Sequence, residues 1–166
     1  RAMDIQFTTK SQDALGAAVR IAAANGNPQV EPLHLLDSLL QQGEGIATAL
    51  LSAVGVDVAG LTHQVRGALA GLPSASGSSV AAPQLSQASY KVINSAETFA
   101  KERGDEFVST EHLLIALAKD GGPGVSDRLA HDGATPATLM DALEQVKGSA
   151  RVTSKDPEQT FQALEK

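Results

Sequence analysis

The chain has 166 residues, a formal net charge of -6, an aromatic content of 3% and no cysteine. Without cysteine it can form neither a disulfide nor a thiolate metal site, which fits a reducing compartment such as the cytoplasm. Scattered lysines and arginines on an acidic chain argue against nucleic acid as a partner. The most apolar stretch, Ile46 to Leu61, is too short for the ~20 apolar residues that span a bilayer, so we expect no membrane association.

One motif occurs twice in the chain. The first copy reads Val-Glu-Pro-Leu-His-Leu-Leu at residues 30–36, and the second reads Val-Ser-Thr-Glu-His-Leu-Leu at residues 108–114. The histidines of the two copies, His34 and His112, lie 78 positions apart. The same shift, without a gap, also superposes Ala22 on Ala100, Gly26 on Gly104, Gly55 on Gly133 and Leu61 on Leu139. A register kept over this length indicates a duplicated supersecondary unit.

Apolar periodicity and helix-ending residues predict four helices in the first copy, at about residues 9–24, 32–42, 46–54 and 58–70. Pro32 suits the first turn of the second helix, where its missing N–H group would have no partner, and Asp57 is a suitable N-cap for the fourth. The predicted buried face of the first helix carries Ala14, Leu15, Ala18, Val19 and Ala22.

The second copy repeats this plan of four helices. Ser86 opens helix five, whose apolar face includes Phe99, and Ser109 is a suitable cap for helix six. Thr135 followed by Pro136 combines an N-cap with a first-turn proline and therefore begins helix eight.

The two copies predict an all-α fold in which eight helices pack as one pseudo-two-fold globule. The predicted organisation is a domain at 3–148, with repeat one at 7–71, a linker at 72–84 and repeat two at 85–148, followed at 149–166 by a second linker and the start of a further helix. The seam between two similar halves is where a bound peptide could insert apolar side chains.

Motifs for catalysis are absent from the sequence. It contains no phosphate-binding loop, dinucleotide fingerprint, zinc-protease motif or nucleophile elbow, so we predict neither enzymatic activity nor a bound cofactor. The four histidines, His34, His63, His112 and His131, are not spaced as a metal site. His34 and His112 each follow a helix start inside an apolar stripe, where imidazole can bond a neighbouring backbone group and pack.

Four residues are open to both a structural and a functional interpretation. Glu111 would interact favourably with the dipole of helix six, but its counterpart is Leu33, so the fold itself does not require an acid there. Asp105 could be a turn residue, and Thr8 could be an N-cap. Phe99 could simply fill the core.

The duplicated pattern resembles the Clp N-terminal double repeat, and the resemblance covers nearly the whole chain. It rests on the motifs at Phe7–Lys10, Glu31–Leu36, Arg103–Glu111 and His131–Ala134. The segments 148–154 and 161–166 also resemble the linker of ClpB-type proteins, which leads to the first AAA+ ATPase module. The resemblance therefore points to the ClpB type.

This resemblance implies a non-catalytic substrate-recognition domain of an ATP-dependent protein disaggregase in the cytoplasm. Its partners would be unfolded or aggregated polypeptides, and the full-length protein would be a homo-hexamer that works with other chaperones. ATP and magnesium would bind only in the absent AAA+ modules, and the isolated domain would be a monomer. Thr8, Asp105 and Glu111 match family positions implicated in substrate engagement, and Phe99 matches a position in an apolar groove.

An alternative is the adaptor-docking domain of a ClpC-type unfoldase. That type carries Thr-Glu-His in both copies, and the paired glutamates are associated with adaptor docking and phosphoarginine recognition. Here the first copy has Leu33 in place of one glutamate, which favours the disaggregase branch. For that branch we expect an exposed apolar groove, rimmed by Asp105 and Glu111, that holds extended polypeptide weakly.

Overall fold

Eight α-helices account for most of the residues that the computed structural model describes, which are 5–75, 81–148 and 150–157. The helices are α1 (Thr9–Ala24), α2 (Pro32–Gln41), α3 (Ile46–Ala53), α4 (Val58–Ala70), α5 (Gln87–Glu102), α6 (Thr110–Asp120), α7 (Arg128–His131) and α8 (Pro136–Lys147). Two short strands, β1 (Gln29–Val30) and β2 (Gln84–Leu85), are also present. The all-α prediction is confirmed, and the predicted final helical fragment at 158–166 lies outside the described residues.

Helices α1, α4, α5 and α8 begin where a side-chain oxygen accepts a hydrogen bond from one of their first free amide groups. The hydroxyl of Ser86 accepts from the Ser89 N–H at 3.0 Å, and that of Thr135 accepts from the Thr138 N–H at 3.1 Å. Asp57 caps α4 in the same way. These predicted caps are confirmed, and each stabilises its helix by about 1 kcal/mol.

Helices α2 and α6 form the centre of the molecule. Residues 32–40 of α2 and 110–118 of α6 are all buried. Both helices contribute to one core that contains Leu36, Leu39, Leu114 and Leu117, none more than 1% exposed. Burying a leucine stabilises a fold by roughly 1.5–3 kcal/mol, so this central pair holds the two copies together.

The most apolar stretch of the sequence is part of the same core. Ile46 and Leu50 of α3 and Leu61 of α4 are at most 2% exposed. No single described helix is long and apolar enough to cross a bilayer, and only α3 and α4 together, bent by 112°, meet that criterion by length and composition.

In two places a strand residue of one copy pairs with a strand residue of the other copy, and we call these pairings the strand exchange. Val30 of the first copy pairs in parallel with Leu85 of the second, and Phe7 of the first pairs in parallel with Val108 of the second. Phe7 and Leu85 are 78 positions apart, as are Val30 and Val108, so the two pairings are related by the pseudo-two-fold. Neither copy can satisfy these backbone groups alone. The copies therefore fold as one unit, as predicted.

The third helix of the second copy departs from the plan of the first. A π-helical turn, Pro123–Asp127, precedes the four-residue α7, where the first copy has the regular helix α3. Gly124 occupies the position of Ile46, and glycine has a poor helix propensity. The Ser126 hydroxyl donates to the Leu117 carbonyl at 2.8 Å and ties the turn to α6.

Candidate functional site

His112 lies at the start of α6 and is completely buried. Its Nδ1 accepts the backbone N–H of Ser109 at 2.8 Å, and its Nε2 lies 2.7 Å from Oδ2 of Asp105. Because a backbone amide only donates, Nδ1 carries no proton, and the ring proton resides on Nε2 and points at Asp105. The imidazole therefore caps the helix with one nitrogen and holds the carboxylate with the other.

His34 repeats this arrangement in the first copy. Its Nδ1 accepts the backbone N–H of Glu31 at 2.8 Å, and its Nε2 lies 2.8 Å from Oδ1 of Asn27. Burial lowers the pKa of His34, against smaller raising effects of the Glu31 and Asp37 charges. The sequence-based interpretation of both histidines as structural residues is confirmed.

Asp105 uses both carboxylate oxygens within the molecule. Oδ2 faces His112, and Oδ1 accepts the backbone N–H of Val152 at 2.7 Å. Arg103 lies close by, with its Nε 3.5 Å from Oδ2. Burial on its own would raise the pKa of Asp105, but the hydrogen bonds from His112 and Val152 and the charge of Lys147 lower it below the usual range.

Glu111 is 1% exposed and forms an ion pair with Lys147 at the end of α8, with 2.6 Å between Oε2 and Nζ. The hydroxyl of Ser109 donates to its other oxygen, Oε1. Burial would raise the pKa of Glu111, but the charge of Lys147 and the hydrogen bonds from Lys147 and Ser109 lower it overall. Both oxygens of this carboxylate are therefore committed to internal partners.

Phe99 covers the outer side of this cluster. The edge of its ring packs against His112, with 5.4 Å between ring centroids, and the Arg103 guanidinium lies 6.0 Å from the Phe99 centroid. Phe99 also lines a groove of about 340 Å³ between α5 and α6. The lining of that groove is mixed rather than apolar, with Lys91, Asn94, Ser95, Thr98, Glu102, Lys119 and Asp120.

Thr8 is completely buried and lies at the N-cap of α1. Its Oγ1 accepts the Ser11 backbone N–H at 3.2 Å, and its own backbone N–H donates to the Val108 carbonyl at 3.0 Å. Thr8 thus joins the start of the first copy to the strand residue that precedes α6.

The structure brings Asp105, Glu111 and Phe99 together around His112 and places Thr8 beside the adjoining strand. The expectation that Asp105 and Glu111 rim an exposed groove is wrong. Both carboxylates find cationic or N–H partners inside the domain, and these bonds offset the cost of burying a charge.

An apolar groove exists elsewhere, at the seam between α1 and α5. It encloses about 350 Å³ and is lined by Ile5, Phe7, Leu15, Gly16, Val19, Leu85, Tyr90, Ile93 and Asn94. Phe7 with Leu85, and Leu15 with Ile93, occupy equivalent positions in the two copies, so the groove lies on the pseudo-two-fold. We call it the seam groove.

Two residues of the seam groove are exposed large apolar side chains. Val19 is 38% exposed and Tyr90 is 53% exposed. The prediction that Val19 lies on the buried face of α1 is wrong, because only Ala14, Ala18 and Ala22 of that predicted face are buried. Tyr90 is not among the predicted site residues. It is the only tyrosine of the chain and lies outside the predicted apolar stripe of α5, and these two features could have pointed to it.

Residues 6–132 match the family described as the Clp repeat (R) N-terminal domain. The chain belongs to the Clp N-terminal domain family. It is 48% identical over 159 residues to the chaperone protein ClpB of Mycobacterium tuberculosis H37Rv, which covers 96% of this chain and 18% of that protein. The ClpB of Propionibacterium freudenreichii is 47% identical over 161 residues, covering 97% of this chain and 18% of that protein. The chain thus spans less than a fifth of these relatives and corresponds to the N-terminal region of ClpB.

Solved Clp N-terminal domains share the fold. The Hsp104 N-terminal domain from Candida albicans superposes with a TM-score of 0.80 at 21% identity, covering 92% of this chain and 99% of that one. The N-terminal domain of the chaperone ClpD from Arabidopsis thaliana gives a TM-score of 0.64 at 19% identity, covering 86% of this chain and 96% of that one.

Within the residues that the structure describes, no group of three or more histidine, aspartate or glutamate side chains is arranged to hold a metal ion.

Proposed function

We propose that this Clp N-terminal domain recognises substrate for a ClpB-type disaggregase by holding apolar segments of unfolded or aggregated polypeptide in the seam groove. The observation that carries the proposal is the exposure of Val19 and Tyr90 on an otherwise apolar concave surface. A concave apolar surface with exposed side chains is a suitable site for apolar segments of another chain.

The lining of the seam groove sets what it selects. Among the described residues that line it, the polar groups are Asn94 and the Tyr90 hydroxyl, and none of these residues carries a charge. Recognition therefore depends on apolar side chains, which every unfolded chain exposes, and not on one sequence. A volume of about 350 Å³ accommodates only a few side chains, so the affinity is low and release is fast.

Weak binding suits delivery to an ATPase ring. A tight complex would oppose threading, whereas a tethered weak site still raises the substrate concentration near the pore. In this proposal the full-length protein is a cytoplasmic homo-hexamer that works with other chaperones, ATP and magnesium bind in the AAA+ modules, and the isolated domain is a monomer without catalytic activity.

The buried candidate residues act through the structure in this proposal. Thr8 caps α1, which supplies Leu15 and Val19 to the seam groove, and its backbone fixes the neighbouring strand. Asp105 and Glu111 lock the start of α6, against which α5 packs. They are positioning residues, and Phe99 supports the same cluster from the outer side.

Substitutions to serine inside and outside the seam groove test the proposal. Val19→Ser and Tyr90→Ser should each weaken binding to reduced, carboxymethylated lactalbumin about tenfold, because each removes an apolar contact worth roughly 1–2 kcal/mol. Val146→Ser is the matched control for Val19→Ser, since Val146 is 39% exposed on α8 and does not line the groove. Equal loss of binding in the Val146 variant would contradict the assignment of the site.

A further inference from the structure

The segment that follows α8 returns to the body of the domain. Val152 is completely buried. Its N–H donates to Oδ1 of Asp105 and its carbonyl accepts the Glu106 N–H, each at 2.7 Å. Three residues further on, the Lys155 carbonyl accepts the N–H of Thr9, the first residue of α1, at 2.8 Å. The described part of this segment, residues 150–157, is thus fastened at two points.

The first copy fastens its own segment after α4 in the same place. Nδ2 of Asn27 donates to the Pro73 carbonyl, and the Ala75 N–H donates to the Gly26 carbonyl, each at 2.9 Å. Asn27 and Asp105 occupy equivalent positions, 78 residues apart. In both copies, therefore, the side chain at this position bonds both to the buried histidine and to the segment that leaves the repeat.

The side chain at this position matches the backbone group it meets. In each copy the histidine Nε2–H donates to one side-chain oxygen, that of Asn27 or of Asp105. The other terminal atom of that side chain is left to bond the departing segment. Asn27 is left with an NH2 donor, and it meets a carbonyl, that of Pro73. Asp105 is left with an acceptor, and it meets the Val152 N–H. The change from amide to carboxylate is what the second copy needs to hold its segment.

We propose that residues 150–157 form a strap that docks on Asp105, Glu106 and Thr9 and can be released as a unit, so that Asp105 controls how far the domain reaches from the chain that follows. Little apolar burial holds the strap, because Val152 is the one buried side chain described within it. Few buried contacts place a segment at the low end of local stability.

Release changes the length of the tether. With the strap docked, the last described bond that holds it to the body of the domain is at Lys155. With the strap released, the tether begins after Lys147, where α8 ends. The eight additional residues extend the reach by at most about 29 Å, at ~3.3–3.6 Å per extended residue.

Amide hydrogen exchange of the 166-residue chain tests the strap at two reporters that lie on the domain. Asp105→Asn keeps the shape and the His112 bond but presents an NH2 group to the Val152 N–H. We expect exchange of the Glu106 and Thr9 amides to accelerate at least tenfold, while the Leu114 amide in the core of α6 stays protected. Asn27→Asp is the matched control, because it disturbs the Pro73 contact of the first copy and should leave both reporters unchanged.

Unchanged exchange at Glu106 and Thr9 in the Asp105 variant would overturn the proposal, and so would equal acceleration in the Asn27 control. If Leu114 also loses protection, the variant has unfolded and Val152→Gly decides. That change removes only the buried strap side chain, and it should accelerate Glu106 and Thr9 at least tenfold with Leu114 protected. Protection of both reporters in the Val152 variant would show that the segment is an integral part of the core.

Discussion

Glu111 and Lys147 form their ion pair at the two positions that Leu33 and Leu69 occupy in the first copy. The leucines are 8% and 4% exposed, so the fold buries either an apolar pair or a charged pair at this site. From the sequence alone, only the replacement of a leucine by an acid is visible. The structure shows that the partner changed as well, which gives Glu111 a structural reason to be acidic.

The first copy predicts the outcome of replacing that pair. Lys147→Leu alone should lower the free energy of unfolding by about 3 kcal/mol, because it leaves the buried Glu111 carboxylate without its cation, and Glu111→Leu should cost less, because the Lys147 side chain is 16% exposed. The double variant reproduces the Leu33 and Leu69 arrangement and should unfold within about 1 kcal/mol of the parent. Urea denaturation of the four proteins measures this cycle. Additive losses in the double variant would mean that the two side chains are not coupled.

The same double variant separates structure from binding. If Glu111 acts only as a positioning residue, the double variant should bind reduced, carboxymethylated lactalbumin with the affinity of the parent. Fluorescence anisotropy of the labelled probe measures this. A large loss of affinity in a stably folded double variant would place Glu111 in contact with substrate.

Acid should destabilise the domain through its two buried carboxylates. The pKa values of Asp105 and Glu111 in the folded state lie below their ordinary values of 3.8 and 4.5. Each carboxylate therefore adds stability that is fully present above the ordinary value and is lost as the pH falls through the lower, folded-state value. Urea midpoints should fall as the pH drops below about 4.5, and the double Leu variant, which lacks Glu111, should show a shallower fall. Identical profiles would contradict the assignment to Glu111.

Thr8 should behave as a helix cap. Thr8→Ala removes the acceptor for the Ser11 amide and should cost about 1 kcal/mol of stability, whereas Thr8→Ser keeps the oxygen and most of that stability. Thr135→Ala, which removes the cap of α8, is the control for a cap loss away from the strand exchange. Thermal denaturation distinguishes these variants, and equal stability of the Ala and Ser variants at position 8 would rule out the capping role.

The helices and their caps could be predicted because the signals are local and occur twice. The strand exchange could not, since Phe7 and Val108 lie far apart in sequence and single paired residues have no periodicity. The burial of Asp105 and Glu111 was missed for a related reason. Their partners Val152 and Lys147 lie 47 and 36 residues away, and a charged residue without visible partners is expected at the surface. The repeat boundaries and the roles of the four candidate residues in binding stay predictions.

The seam groove is the central claim, and backbone amide NMR shifts during titration with reduced, carboxymethylated lactalbumin test it most directly. The account predicts fast-exchange shifts that centre on Leu15, Val19, Tyr90 and Ile93 and spread along α1 and α5. Shifts confined to the mixed groove beside Phe99, or no shifts with the unfolded probe, would contradict it.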